Sequence, residues 1–295
     1  MYINDLVNAY GNRLFNIYTA GRKEKVLIEC GVSGLVQSIA AQVGGTEEAG
    51  MVKSLVVMHA HFDHVCGLPG LRAVFPGAGT VSSARAAQIL LNNKVMKGFY
   101  CEDRAMTGVL NPAMDDSGDN YRDREDWTIK IDRAIQGDEV WKLEGGVDVH
   151  FYMAPGHSPC SMMVYIPGEE TLFSSDCAGF PVDEKRVFPT FFSSYEDYVQ
   201  SMKKILEMPV SCLAPAHCDI IRGRSEVKKF VRNSLDWTEK TRSEVIEGAK
   251  RGLDREMLAK RIYDSFYKGN LRIYSGFNIM NCSSLIVRRS LEQII

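Results

Sequence analysis

Three of the six histidines of the chain lie close together, in the pattern His59-x-His61-x-Asp63-His64. Imidazole and carboxylate groups are ligands that zinc, iron and manganese accept in proteins. The residues just before, 53–58, form an apolar and β-branched run that predicts a short buried strand ending at His59. In the loop that follows, His59 and His61 can point one way, and Asp63 and His64 another. We therefore expect half of a two-metal site in this turn.

Further candidate ligands stand beside other predicted strands, after the alternating run 147–153, after 171–175 and after 210–214. These candidates are His157, Asp176 and His217. Open α/β proteins place their ligand sites at the carboxyl ends of strands, so this placement favours a joint site. None of the positions is a cysteine, which argues against a structural zinc site. His150 lies within the alternating strand and is expected to be an ordinary residue.

These motifs, taken in order along the chain, resemble the metal motifs of the metallo-β-lactamase superfamily. The resemblance runs from about residue 27 to residue 222. It implies an α/β fold, namely an αββα sandwich with the metal ions at one edge. It also implies an assignment of ligands. One ion would be held by His59, His61 and His157, the other by Asp63, His64 and His217, with Asp176 bridging them, and the motifs around the later histidines are Pro155-Gly156-His157 and Pro215-Ala216-His217.

By the same resemblance, the chain would use two divalent metal ions, with zinc expected first and iron or manganese as alternatives. The ions would lower the pKa of a bridging water, so that hydroxide exists near neutral pH, and would stabilise the developing oxyanion. Asp63 is assigned to catalysis as well as to metal binding, because its loss should abolish turnover. Ser175 and Ala216 stand where relatives usually have glycine. Both are small, so metal binding should survive.

Within the superfamily, the motifs are more similar to glyoxalase II, lactonase and phosphodiesterase members than to the true β-lactamases, whose second site often uses cysteine. Cys177 and Cys218 only adjoin candidate ligands. Flavodiiron relatives usually carry glutamate where this chain has His61, which disfavours reduction of oxygen or nitric oxide. The C-terminal part is similar in layout to the quinolone-signal response protein, a thioesterase-like member.

The expected activity is hydrolysis of a small ester, thioester or lactone by a metal-bridging hydroxide. Phosphodiester hydrolysis is the rival on the same fold, since a two-metal clamp suits in-line displacement equally well. Apolar neighbours of the motifs and the lack of an Arg/Lys cluster favour acyl substrates. A metal-retaining sensor or partner-binding protein with little turnover is the alternative from another class. Candidate proton donors, which at such positions are more often core or surface aromatics, are Tyr195, Tyr263, Tyr267 and Tyr274.

The composition limits the class of partner. The chain has 295 residues, 24% of them charged, and a formal net charge of −2. This balance gives no electrostatic basis for binding nucleic acid or a membrane surface, so a small-molecule substrate is expected. The eight cysteines have no C-x-x-C spacing and are expected to be reduced thiols. No apolar run approaches the roughly 18 residues of a membrane helix, and no signal-peptide core is visible, which favours a cytoplasmic protein. A homodimer is left open.

Strands and helices alternate up to about residue 222, which predicts one α/β domain over 1–222. Within it, the methionine-rich insertion 92–130 is more typical of a lid than of a plain connection, with disorder as the alternative. Residues 223–295 have helical spacing of apolar positions and predict a helical C-terminal cap packed on the same domain. Ser193 and Glu196 have capping-box spacing and predict that a helix begins there.

Overall fold

The computed structural model describes residues 1–43, 48–110 and 125–292. Within these ranges a first sheet holds seven strands in chain order, of which the first four pair antiparallel and the last four pair in parallel. The parallel strands therefore end at one common edge. The strands are β1 (Tyr2–Asn4), β2 (Val7–Asn12), β3 (Phe15–Gly21), β4 (Lys25–Ile28), β5 (Val52–Val57), β6 (Gly79–Ser83) and β7 (Arg133–Ile135).

The later strands are β8 (Glu139–Leu143), β9 (Val147–Met153), β10 (Met162–Ile166), β11 (Thr171–Ser175), β12 (Phe180–Pro181), β13 (Val187–Phe188), β14 (Cys212–Pro215) and β15 (Ile221–Arg222). Over the described ranges, six of them form a second sheet in the order β15-β14-β11-β10-β9-β8. In this sheet β11 and β14 are parallel, whereas β8 pairs antiparallel with β9 and β14 with β15. Strands β12 and β13 form a separate short ribbon.

The helices of the described ranges are α1 (Val36–Val43), α2 (Glu48–Met51), α3 (Phe62–Val65), α4 (Leu68–Val74), α5 (Ala84–Leu90), α6 (Asn93–Leu110), α7 (Tyr195–Glu207), α8 (Arg224–Lys250), α9 (Arg255–Phe266) and α10 (Gly276–Leu291). Several of these helices have an N-terminal side-chain cap. Ser83 Oγ accepts a hydrogen bond from the N–H of Ala86 at the start of α5, and Asp254 and Ser275 cap α9 and α10 in the same way. Among the described residues, no helix is both long and apolar enough to cross a membrane.

The chain divides into two compact units, Met1–Met153 with Val164–Glu169 and Ala154–Met163 with Glu170–Ile295. In the first unit, the central strands carry continuous apolar runs. Leu27 of β4 and Leu55 of β5 are fully buried. Parallel strands that are covered on both faces need apolar side chains at successive positions. In β4, three buried residues therefore follow one another instead of alternating with exposed ones.

The second unit contains β11 and β14 together with helices α7 to α10. All five residues of β11 are buried. Helix α7 buries Tyr198, Met202 and Ile205, which lie on one face because they are spaced by four and three residues. The helices predicted for the C-terminal part are confirmed by α8, α9 and α10. The domain boundary at residue 222 and the packing of these helices as a cap stay predictions.

Two other expectations concern the insertion 92–130 and the residue that caps α7. The insertion 92–130 begins with the 18-residue helix α6, which the sequence analysis did not predict. Its residues 111–124 lie outside the described part, so the lid stays a prediction. Helix α7 is capped by Ser194, whose Oγ accepts from Asp197 N at 3.2 Å, and not by Ser193. Both serine N–H groups donate to Gly156 O, and this tie shifts the start of the helix by one residue.

Candidate metal centre

The candidate ligands of the first unit come from the turn that follows β5. His59 Nε2 lies 3.0 Å from His61 Nδ1, and the ring centroids of His59 and His64 are 4.0 Å apart. Asp63 and His64 belong to the short helix α3, where Asp63 Oδ2 is 3.6 Å from His64 Nε2. His59, Asp63 and His64 are buried. The structure therefore gathers the four residues of the histidine run into one cluster.

A buried glutamate that the sequence analysis did not select supports this cluster. Glu29 directly follows β4, and its Oε2 lies 2.8 Å from His64 Nδ1. A carboxylate oxygen that accepts a hydrogen bond from Nδ1–H leaves the lone pair of Nε2 for a metal ion. The strand-end rule could have found Glu29, because β4 is the parallel neighbour of β5 and ends at the same edge.

The candidate ligands of the second unit converge on one carboxylate. Asp176 Oδ2 lies 3.4 Å from His157 Nε2, and Asp176 Oδ1 lies 3.3 Å from His217 Nε2. Asp176 directly follows β11, and His217 lies two residues past Pro215, the last residue of β14. These strands are parallel, with Ser175 opposite Pro215. Parallel strands end at the same edge, so the carboxylate and the imidazole meet there. The structure brings these three predicted ligands together within their unit.

Thr190 fixes two of these ligands. Its backbone carbonyl lies 2.8 Å from His157 Nδ1, so that nitrogen donates and Nε2 is left to bind a metal. The Thr190 hydroxyl donates to the backbone carbonyl of Asp176 at 2.9 Å. The fully buried Tyr198 OH lies 3.1 Å from the same Thr190 hydroxyl. Burial raises the pKa of Tyr198, which keeps its phenol neutral. His157 and Asp176 are therefore held before any ion binds.

The backbone beside these ligands takes left-handed conformations. Gly156 has φ +120°, and a Cβ there would lie 2.1 Å from Tyr198 N, so only glycine fits before His157. Ser175 has φ +48° immediately before Asp176. A serine in this region costs about 1 kcal/mol relative to glycine. The left-handed turn gives the physical reason why glycine is common at that position, and this chain tolerates serine there.

The spacing of the candidate donor atoms fits a metal ion. Two ligands bound at about 2.0–2.1 Å to a tetrahedral ion lie about 3.3 Å apart. Within the two units, the donor pairs given above are separated by 3.0, 3.3, 3.4 and 3.6 Å. All seven predicted ligands belong to His and Asp clusters that could hold metal ions. The donor chemistry and the fixed imidazole nitrogens therefore fit the metals that the sequence predicts.

The neighbouring thiols are engaged elsewhere. Cys177 Sγ donates to Ala154 O at 3.5 Å, and Cys218 Sγ donates to Pro181 O at 3.6 Å. Burial raises the pKa of the Cys66 thiol, which follows the histidine run by two residues, and disfavours a thiolate there. None of the eight cysteines, all of which lie in the described ranges, forms a disulfide. These contacts agree with a ligand set of His and Asp alone.

Several residues weighed from the sequence make contacts with groups outside the candidate ligand set. His150 Nδ1 is 3.1 Å from Tyr152 OH within β9, and its assignment as an ordinary strand residue stays a prediction. Tyr195 packs under the guanidinium of Arg242 at 4.2 Å. Two other candidate proton donors, Tyr263 and Tyr267, stack on each other with centroids 4.7 Å apart.

Aromatic rings border the two imidazoles of the second unit. Phe192 packs against His157 and Phe180 against His217, each with centroids 5.2 Å apart. Tyr274, which is 8% exposed, places its hydroxyl 3.4 Å from His217 Nε2. Neither phenylalanine was selected from the sequence, because an aromatic residue in an apolar run carries no sign of what it packs against. These two imidazoles thus pack against two apolar rings and lie beside one phenol.

Comparison with known proteins agrees with this geometry. The chain matches the metallo-beta-lactamase superfamily over residues 16–217, a region that includes all seven candidate ligands. A metallo-beta-lactamase fold-containing protein of Sulfurisphaera tokodaii is 25% identical over 207 residues, covering 68% of this chain and 71% of that protein.

Solved structures show the same fold at lower identity. A mutant metallo-beta-lactamase from Cronobacter sakazakii superposes with a TM-score of 0.60 at 19% identity, covering 86% of this chain and 98% of that one. An inverting sec-alkylsulfatase from Pseudomonas sp. gives a TM-score of 0.61 at 15% identity, covering 93% of this chain and 47% of that one. The mixed α/β sheets with their helices confirm the expected αββα sandwich with added C-terminal helices. The chain therefore belongs to the metallo-beta-lactamase superfamily.

Proposed function

We propose that this protein is a dinuclear metal-dependent hydrolase that acts on a small ester, thioester or lactone. The observation that carries the proposal is the pair of fixed imidazoles, His64 and His157. Each donates from Nδ1 to a buried oxygen acceptor and so presents Nε2 to a cation. A histidine that served only the core would not need both this tautomer and a carboxylate within 3.4–3.6 Å of Nε2.

The two metal ions are assigned ligands as the family motifs imply. When bound, they would supply a hydroxide near neutral pH and positive charge beside the oxygen that gains charge. We assign one ion to His59, His61 and His157, the other to Asp63, His64 and His217, and the bridge to Asp176. Zinc is proposed first, with iron or manganese as alternatives. Glu29 and Thr190 would then act on the reaction through the imidazoles that they orient.

The surroundings of the second unit's ligands favour an acyl substrate over a phosphodiester. Phe180 and Phe192 pack directly against ligand rings. A phosphodiester keeps a negative charge that arginine or lysine usually binds, whereas an ester, thioester or lactone is neutral and tolerates aromatic walls. The cytoplasmic location expected from the sequence stays a prediction, and so does the glyoxalase II, lactonase or thioesterase-like branch.

The test measures metal content and turnover on the same preparation. Protein loaded with zinc, iron or manganese is assayed with p-nitrophenyl esters, acyl thioesters, lactones and bis-p-nitrophenyl phosphate. We expect two ions per chain and acyl hydrolysis that Asp63→Ala abolishes while the fold is retained. His150→Ala is the matched control, because it removes an imidazole outside the ligand set.

Three results would contradict the proposal, each in a distinct way. Turnover of the phosphodiester alone would establish the rival hydrolase. Two bound ions without turnover of any substrate would indicate a sensor. A folded protein that takes up no transition metal would contradict both a metal-dependent hydrolase and a metal-retaining sensor.

A further inference from the structure

We propose that Tyr274 is a catalytic residue that donates a hydrogen bond to the substrate oxygen on which negative charge develops. This inference rests on the proposed acyl hydrolysis and adds a residue to it. Attack on an ester, thioester or lactone forms a bond from the nucleophile to the carbonyl carbon. The C=O π pair moves onto that oxygen until the leaving group departs and the pair returns. A positioned O–H donor stabilises the charged stage.

The position of the phenol supports this role. Tyr274 OH lies 3.4 Å from His217 Nε2, the nitrogen that is also 3.3 Å from Asp176 Oδ1. The hydroxyl therefore lies on the side of His217 that faces its fellow ligand. A substrate oxygen that approaches this side of the imidazole comes within reach of the O–H group.

Tyr274 is held in this position by its own unit. Its N–H donates to Leu271 O at 3.3 Å, and its carbonyl accepts from Tyr267 OH at 3.0 Å. Its ring meets Phe180 edge to face with centroids 5.8 Å apart. A donor that is already oriented loses little conformational freedom when the charge develops, which is the condition for useful electrostatic stabilisation.

The contact between the Tyr274 hydroxyl and His217 Nε2 is one that a bound cation would alter. At 3.4 Å it is long for an O–H···N bond and correspondingly weak. The Nε2 lone pair cannot accept a proton while it is bound to a cation, so the Tyr274 hydroxyl would then direct its hydrogen toward an oxygen beside it.

The test compares Tyr274→Phe with Tyr263→Phe. Both variants lose one phenol oxygen, but the ring of Tyr263 stacks on that of Tyr267 and not on a ligand imidazole. Each protein is characterised for metal content, thermal unfolding, binding of methylphosphonate by calorimetry, and kcat/KM on phenyl acetates whose leaving groups span p-nitrophenol to unsubstituted phenol. Methylphosphonate is the probe because it presents tetrahedral, negatively charged oxygens without being hydrolysed.

We expect Tyr274→Phe to keep its metal ions and to lose about 10–100-fold in kcat/KM, equally for every leaving group. Its Kd for methylphosphonate should rise about 10–100-fold, since a hydrogen bond to a charged oxygen is lost. Tyr263→Phe should match the wild type in both measurements. Equal loss across the series identifies a donor to the carbonyl oxygen, because that oxygen is common to all the esters.

Other results would overturn the inference. Unchanged phosphonate binding and unchanged kcat/KM would show that the phenol does not contact the substrate. A loss confined to poor leaving groups would assign Tyr274 to the leaving group instead. A loss of metal ions in Tyr274→Phe would show that the phenol positions His217 for metal binding and does not act on the substrate. If wild-type protein with two bound ions hydrolyses no acyl substrate, the proposed function itself fails, and this outcome is separate from the others.

Discussion

The two units supply their ligands in different ways. The first unit takes four from the six consecutive residues 59–64, whereas the second takes His157, Asp176 and His217 from positions spread over about sixty residues. The first cluster depends on one turn after β5. The second depends on the parallel pairing of β11 with β14 and on the contacts of Thr190. The ligands of the first unit can therefore be recognised from a short stretch of sequence. Those of the second unit come together only when the strands have paired.

The units also differ in how they orient an imidazole. In the first, the side chain of Glu29 accepts from His64. In the second, the backbone carbonyl of Thr190 accepts from His157. A single substitution can remove the first acceptor but not the second, since every residue keeps its carbonyl. The first unit should therefore be the more sensitive to mutation around its ligands.

The largest effect is expected from Asp176→Ala, which tests whether the second unit depends on one carboxylate. Asp176 contacts both imidazoles, so its loss should lower turnover on the order of a thousandfold and reduce the bound metal. Metal analysis and kcat/KM on a p-nitrophenyl ester are the measurements. Asp183→Ala is the control, because that carboxylate of the same unit pairs with Arg186. If Asp176→Ala kept the metal content and turnover of the wild type, the second unit's ligands would not depend on this carboxylate, and the contrast between the two units would be refuted.

A second prediction separates stability from metal binding in the first unit. Burial alone would raise the pKa of Glu48, but hydrogen bonds from Lys25, Thr19, Tyr10 and Asn8 lower it to about 2. Because the folded pKa lies below the unfolded value of about 4.3, this stabilisation is complete above that pH and is lost as the pH falls toward 2. Glu48→Gln should lower the free energy of unfolding by about 2–3 kcal/mol at pH 7.

Urea unfolding at pH 7 and pH 3 measures this effect, and the deficit of Glu48→Gln should shrink at the lower pH. The matched control is Glu144→Gln, because that glutamate is exposed and lies 3.9 Å from Lys23. Its free energy of unfolding should change by less than about 0.5 kcal/mol. Metal affinity should be unchanged in both variants. A loss of metal binding in Glu48→Gln would instead show that the hydrogen bonds of Glu48 affect the ligands at residues 59–64.

The smallest effect tests the side-chain and backbone acceptors against each other. Glu29→Gln should weaken metal binding about 10–100-fold, because His64 loses a charged acceptor. Thr190→Val keeps the carbonyl that binds His157 and loses only the hydroxyl bond to the backbone carbonyl of Asp176, which leaves the Asp176 carboxylate in place, so it should weaken metal binding less than about threefold. Competition with a chelator measures both affinities. Equal losses in the two variants would contradict the difference drawn between the units.

Local pattern was sufficient for much of the fold. Strand β5, the cap of α5 by Ser83 and the three C-terminal helices follow from apolar spacing and capping residues, which act over a few positions. Strands β1 and β2 were not predicted from the sequence. Their burial alternates only in part. Antiparallel pairing along β3 determines them, and such pairing carries little local signal.

The candidate ligands could be named from the sequence because histidine and aspartate after strand ends are rare combinations with few purely structural uses. What orients them could not be named. Glutamate and threonine are common residues, and Glu29 and Thr190 differ from others of their kind only in what lies within 3.5 Å of them. Residue type and order along the chain determine which groups can bind a metal. Only the paired strands and the packed unit decide which nitrogen each imidazole presents, because hydrogen bonds require an acceptor placed by tertiary structure.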